Sequence, residues 1–336
     1  MEMKKRRTSL KDLAEQLGVS IATVSRALRG SHEVGEEMTR KVKDLAKKLN
    51  YRPNPFAQSL RKEAPHLIGV IVPNLVTHYY ASVLDGIEDY ATRNGYSVIS
   101  ANSHENHELE EKAIDTFISL HVEGIIACLA QDTIDYHHFE EIYDMGLPLV
   151  FFARTCLPEK FSHVVANGDE AAYEATCHLI DSGSKRIAFI GGPNHLDMVS
   201  RRKHGYLEAL REHRIPIDRS LVACGKIDFN IARIATLNML KSENPPDAIL
   251  AFNDIITYAA FDAIKSMELH IPNDVAIIGF TDGDNAAFVT PPLSAIMDQA
   301  HLQGVKACEL LFRNINGDSK IYKEIVPMIL KVRESS

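Results

Sequence analysis

The sequence predicts an N-terminal all-α helix-turn-helix module followed by an α/β core of two doubly wound parallel-sheet subdomains. Three observations carry this expectation: two short amphipathic helices separated by a glycine near the start, a sustained strand–helix alternation from Leu67 onward, and a change of charge between the two stretches. The 336 residues are 45% hydrophobic and 24% charged, enough for more than one core. Residues 1–62 hold 15 lysines and arginines against 7 acids, whereas the remainder holds 22 against 38. A basic end on an acidic body is expected of a nucleic-acid-binding module joined to a domain with another task.

In the first stretch, Ser9 is placed to cap a helix with Asp12 three positions on, and Leu10, Leu13, Ala14 and Leu17 recur at helical spacing. Gly18 stops that helix, Val19 plugs the turn, and Ser20 caps a second helix running to about Arg29 with Val24, Ala27 and Leu28 inward. A third helix is expected over 36–50. Tyr51-Arg52-Pro53-Asn54-Pro55 reads as a hinge, because each proline restricts the residue before it, and Asn54 and Pro55 open a segment too short to be a stable helix alone. From Leu67, strands are expected at 67–73, 96–102, 124–129, 148–153, 163–167, 186–192, 247–253 and 275–280, and helices at 80–94, 105–121, 169–182, 200–213 and 254–267. Ligands of such sheets bind beyond the strand carboxyl ends, which points to Pro73-Asn74, Asn102, Arg154, Gly191-Gly192, Asn253-Asp254 and 280–282.

Other function classes find little support. No apolar run spans a bilayer and the N-terminus lacks a signal-peptide core, so a cytoplasmic protein with no membrane partner is expected. Five scattered cysteines without a CxxC suggest buried reduced thiols. There is no P-loop or GxGxxG, and His104 and His107, or His137 and His138, are expected to be solvated surface histidines rather than metal ligands. No catalytic residue, cofactor or metal is assigned, and the chain is expected not to be an enzyme.

The order and spacing of SLKDLAEQLGVSIATVSRALRG, YRPNPFAQSLR, IGVIVPN, GLPLVFFAR, RIAFIGG, AFNDIITYAA, IPNDVAIIGF and TPPLSAI resemble the bacterial lactose-repressor/galactose-repressor (LacI/GalR) family across about 330 residues. The resemblance implies a dimeric repressor that reads a palindromic double-stranded operator, associated with the nucleoid. It also implies a hinge helix that folds on DNA and a periplasmic-binding-protein-like core that senses a small molecule, a sugar or sugar derivative. The corresponding divisions are 1–52 for the DNA module, 53–64 for hinge and linker, and 65–336 for the core. Within the core, the N-subdomain is expected at about 65–165 plus 295–330 and the C-subdomain at 166–292. The chain stops soon after the last expected strand without a heptad extension, so a homodimer is expected.

On the second helix, Arg26 can pair with guanine, Ile21 and Ala22 offer apolar contact to thymine methyls, and Ser20, Thr23, Ser25 and Arg29 suit phosphates or the groove wall. The resemblance adds Asn54, Ala57, Gln58, Leu60 and Arg61 in the hinge, with Leu60 wedging a base step and Ser59 beside it at the phosphates. For the effector it implies Tyr79 and Tyr80 as stacking surfaces, Arg202 as a clamp, Arg154 beside it, and Asn253 and Asp254 as hydroxyl binders, although the latter pair equally suits helix capping. Thr281 and Asp282 occupy the end of the last sensor strand, where many members place an Asp directly after the GF. Other departures are Ala153, where an Asp is common, and Ile227, where an aromatic is common, with Phe229 two positions on.

Overall fold

The computed structural model describes residues 8–28, 30–49, 51, 66–281 and 283–336, in two compact units, Met1–Pro65 and His66–Ser336. In the first unit, α1 (Leu10–Leu17) begins at a complete capping box. The Ser9 amide donates to Asp12 Oδ2 at 2.7 Å, and the Asp12 amide donates back to Ser9 Oγ at 3.3 Å. Gly18 closes the helix at φ 64°, a left-handed conformation that suits glycine. The Ser20 hydroxyl accepts the Thr23 amide at 3.1 Å and so caps α2 (Ile21–Leu28), after which α3 (Glu36–Lys48) closes the module. Leu13, Ala14, Val24, Ala27, Val42 and Ala46 form its buried core, the inward faces expected from helical spacing.

The second unit contains two six-stranded sheets. Its elements run β1 (Leu67–Val72), α4 (His78–Arg93), β2 (Ser97–Asn102), α5 (His107–Ser119), β3 (Gly124–Ala127), α6 (His137–Asp144), β4 (Leu149–Phe152) and β5 (Ser162–Ala166). They continue with α7 (Gly168–Asp181), β6 (Ile187–Gly191), α8 (Asp197–Glu212), β7 (Val222–Cys224), α9 (Phe229–Leu240), β8 (Ala248–Ala251), α10 (Asp254–Ser266) and β9 (Ala276–Phe280). The last are α11 (Asn285–Phe288), β10 (Ser294–Met297), α12 (Ala300–Ile315), β11 (Lys323–Val326) and β12 (Ile329–Lys331). The first sheet has the order β11-β5-β4-β3-β1-β2 and the second β12-β10-β9-β8-β6-β7. The central strands β1, β3, β4, β6, β8 and β9 are buried along their whole length, as helices on both faces require.

The chain passes between the lobes three times, and the expected division needs correcting there. The sequence places 295–330 in the first lobe, yet β10 pairs in parallel with β9 (Ser294 opposite Ile278) and β12 pairs antiparallel with β10. Only α12 and β11 of that stretch serve the first sheet. The crossings are tied to one another. Asn167 Oδ1 accepts the Met328 amide at 2.7 Å, and the Gln299 side-chain amide donates to the Pro327 carbonyl. Helices α4 and α12 pack with their backbones in close approach, because a Cβ on Gly86 would strike the His301 carbonyl and one on Gly304 the Val83 carbonyl.

Candidate effector cleft and DNA-reading helix

On α2, Ile21, Ala22 and Arg26 are exposed, while Val24 and Ala27 hold the helix to its core. Arg26 Nε lies 3.2 Å from Glu33 Oε2, an exposed pair of the kind worth at most about 1 kcal/mol, so its guanidinium can exchange that carboxylate for another acceptor. The Ser20 and Thr23 hydroxyls bond each other at 2.9 Å, and Ser25 is half-buried on the same helix. Arg29, Asn54, Ala57, Gln58, Ser59, Leu60, Arg61 and Asp282 lie outside the described residues.

Between the two lobes of the second unit lies a narrow cleft with about 50 Å³ of room for solvent-sized molecules, below the ~300–1,000 Å³ usual for small-molecule sites. Seven of the expected effector residues line it: Tyr79, Tyr80, Arg154, Arg202, Asn253, Asp254 and Thr281. Most of them stand where a strand gives way to a loop or helix, and Arg202 lies in the second turn of α8, which is why distant sequence positions converge. Tyr79 packs edge-on against Tyr80 with centroids 5.1 Å apart, and its hydroxyl donates to Gln303 Oε1 at 2.8 Å. Tyr80 is buried against Phe152, and that burial raises its phenol pKa well above the ordinary value. Asn253 caps α10, its Oδ1 accepting the Ile256 amide at 3.0 Å, and the residue also lines the cleft.

Both cleft arginines are buried and their forks are engaged. Arg154 makes a two-pronged bridge to Glu105, at 2.6 and 3.0 Å, and donates to the Leu129 carbonyl at 3.1 Å. Burial opposes its charge, but Tyr80, Glu105 and Cys128 outweigh that and hold the guanidinium above its ordinary pKa. Arg202 donates to the Phe252 carbonyl and, at 3.0 Å, to Asp298 Oδ1, and it lies over Phe252 and Phe280 at 4.9 and 3.8 Å from the ring centroids. Here burial prevails and lowers the pKa despite Asp298. In both residues Nε is buried with no hydrogen-bond partner.

Reading the sequence missed Glu105, Gln131, Phe252 and Asp298. Gln131 is the largest omission: it is 5% exposed, its Oε1 accepts the Ile227 amide of the other lobe at 2.9 Å, and its carbonyl lies 2.7 Å from His195 Nε2. Each of Glu105, Phe252 and Asp298 falls within three residues of a strand end (β2, β8 and β10), the one signal available for them, whereas Gln131 sits in a loop without periodicity. The expectation of solvated histidines also fails at His138, which is buried because Glu110, itself fully buried, accepts from its Nε2 at 3.0 Å. All five cysteines are free, Cys128, Cys156 and Cys308 buried and Cys177 and Cys224 half-buried. Among the described residues no helix is long and apolar enough to cross a membrane.

A helix-turn-helix module preceding a two-lobed α/β body with a polar cleft defines a DNA-binding transcription regulator with a small-molecule sensor. The chain belongs to the LacI family of bacterial regulatory proteins. Residues 9–54 match that family's DNA-binding domain and residues 176–336 a periplasmic binding protein-like domain. It is 30% identical to catabolite control protein A of Priestia megaterium over 333 residues, covering 97% of this chain and 98% of that one. Among solved structures, the transcriptional regulator CelR–cellobiose complex superimposes with a TM-score of 0.75 at 26% identity, covering 98% of this chain and all of that one. The Lac repressor dimer bound to operator and the anti-inducer ONPF gives 0.82 at 24% identity, over 98% and 99%, which shows the shared fold.

Proposed function

We propose that this protein is a homodimeric, cytoplasmic, nucleoid-associated repressor of a carbohydrate or related catabolic operon, with no catalytic activity. A sugar or sugar derivative taken up in the cleft would set its affinity for a palindromic operator. The observation that carries the effector class is the pair of buried, unpartnered Nε donors on Arg154 and Arg202 in the wall of one cleft. A buried donor without an acceptor costs about 1–3 kcal/mol, so a ligand presenting ring or hydroxyl oxygens to both recovers that cost. The forks are already satisfied by Glu105 and by Asp298 and Phe252, which favours a polar neutral ligand over an anion needing a free cation. The cellobiose in the CelR structure belongs to the same class.

On this reading 1–52 is the DNA module, 53–64 the hinge and linker, and 65–336 the sensor. Ser20, Ile21, Ala22, Thr23, Ser25, Arg26 and Arg29 would read or hold the major groove, and Asn54, Ala57, Gln58, Leu60 and Arg61 the operator centre. Tyr79, Tyr80, Arg154, Arg202, Asn253, Asp254, Thr281 and Asp282 would bind the effector. The test is a thermal-shift screen of sugars, sugar acids, phosphosugars and nucleobases, followed by gel-shift titration of a selected palindrome with and without each hit. A sugar that stabilises the protein and changes operator affinity is expected. A hit confined to nucleobases would overturn the effector class, and loss of every sequence preference for DNA would overturn the regulator.

A further inference from the structure

A second cluster, on the first lobe, has no part in the cleft. The proximal end of α5 and the start of α6 bring together His107, Glu111 and His138, and one ligand atom from each can be chosen so that all three lie within 4.8 Å of one another. The spacing along α5 is i, i+4, which places His107 and Glu111 on one face with His107 Nε2 3.3 Å from Glu111 Oε1. The imidazoles of His107 and His138 meet edge to face with centroids 4.8 Å apart.

Two features separate this cluster from an ordinary helical ion pair. The first is that Nδ1 of His107 and Nδ1 of His138 are both buried without a hydrogen-bond partner, which an isolated pair of solvated histidines does not require. The second is how His138 is held. Glu110, fully buried, accepts the Ala130 amide at 2.7 Å, the Thr133 hydroxyl at 2.8 Å and His138 Nε2 at 3.0 Å. A carboxylate oxygen 3.0 Å from Nε2 selects the tautomer that carries the proton on Nε2, which leaves the buried Nδ1 as the acceptor nitrogen without a partner. A carboxylate fixing the far nitrogen of an imidazole is the arrangement that orients histidine ligands in metal sites.

We propose that His107, Glu111 and His138 bind a first-row transition-metal dication of the zinc type, with Glu110 positioning His138. Two imidazoles and one carboxylate match the preference of zinc for nitrogen and oxygen donors, and solvent completes the shell because Glu111 is exposed. Metal–ligand bonds of about 2.0–2.2 Å put tetrahedral donors roughly 3.3 Å apart, so binding draws the cluster together, with Glu111 and the half-exposed His107 supplying the movement. The proposal is independent of the effector reading.

The test is zinc binding to the full chain by competition with a chromophoric chelator, with cobalt(II) absorption as the coordination probe. One saturable ion per chain is expected, with a cobalt spectrum of nitrogen and oxygen ligation. His107→Gln and Glu111→Gln each weaken zinc by about tenfold or more, and the double variant loses the spectrum. Both side chains reach solvent, so these variants keep the fold, which circular dichroism verifies. His204→Gln and His270→Gln remove exposed histidines that pair with Glu208 and Asp274 alone and leave binding unchanged. Absence of saturable binding, wild-type affinity in His107→Gln and Glu111→Gln, or an equal loss in the two controls would overturn the site.

Discussion

The hydrogen bond by which Gln131 of the first lobe holds the Ile227 amide of the second is open to a quantitative test. In Gln131→Ala, the Ile227 amide loses its acceptor at 2.9 Å while the cleft is closed. Opening the cleft would let water reach that amide, so the penalty falls on the closed form. An unsatisfied buried amide costs about 1–3 kcal/mol, which lowers the ratio of closed to open molecules by about 5- to 150-fold. An effector that binds the closed form loses affinity to the extent that this form is depopulated. Gln131→Met keeps the length of the side chain without the acceptor and should behave alike, which separates the hydrogen bond from lost volume. Small-angle scattering and a lobe-to-lobe spin-label distance report the opening, and calorimetry with the sugar found in the screen reports the affinity. Unchanged lobe separation and unchanged effector affinity in both variants would refute the reasoning.

Four further outcomes are expected. Arg26→Ala should relax preference at one symmetric guanine position by about 1–3 kcal/mol, measured by gel shift on operator and substituted operators; wild-type discrimination would remove it from the interface. Gly304→Ala should destabilise by about 1–3 kcal/mol in urea unfolding, because its Cβ meets the backbone of α4. Asn253→Ala should cost about 1 kcal/mol through loss of the cap while Asn253→Asp keeps it, judged by melting temperature. Burial pushes the Cys128 thiol up to about 11 and Cys308 up to about 12, so both should resist iodoacetamide at pH 8 until the chain unfolds. Because these thiols ionise first in the unfolded chain, their contribution to stability is complete below its thiol pKa of about 8.5 and declines as pH rises through 11 and 12.

How far the sequence revealed this architecture depended on whether the governing interaction was local. The capping box at Ser9, the glycine stop at Gly18 and the serine cap at Ser20 involve neighbours within four residues, and each was legible. The central strands were legible because burial on both faces leaves a continuous apolar run, and their ends then located Arg154, Asn253 and Thr281, whereas the short β7, β10, β11 and β12 were not among the expected strands. Helix α12 is amphipathic like any other, and nothing in its own residues says which sheet it covers. Glu105, Gln131 and Asp298 act through partners 49, 96 and 96 residues away, on Arg154, Ile227 and Arg202. The burial of His138 likewise follows from a carboxylate 28 residues earlier that its own surroundings in the sequence do not announce.

The three passages between lobes also govern the order in which the protein can be completed during synthesis. Among the described residues the helices of the first unit are complete once α3 has emerged, whereas β11 and β12, the edge strands of the two sheets, come only at Lys323–Val326 and Ile329–Lys331. Until then β5 and β10 expose the backbone groups that those strands will satisfy, a template for pairing with other nascent chains. A message cut short before that point would therefore yield a complete set of helices α1 to α3 carried on an unfinished sensor, with the groove-facing side chains in place and the signal-receiving lobes left open at their edges.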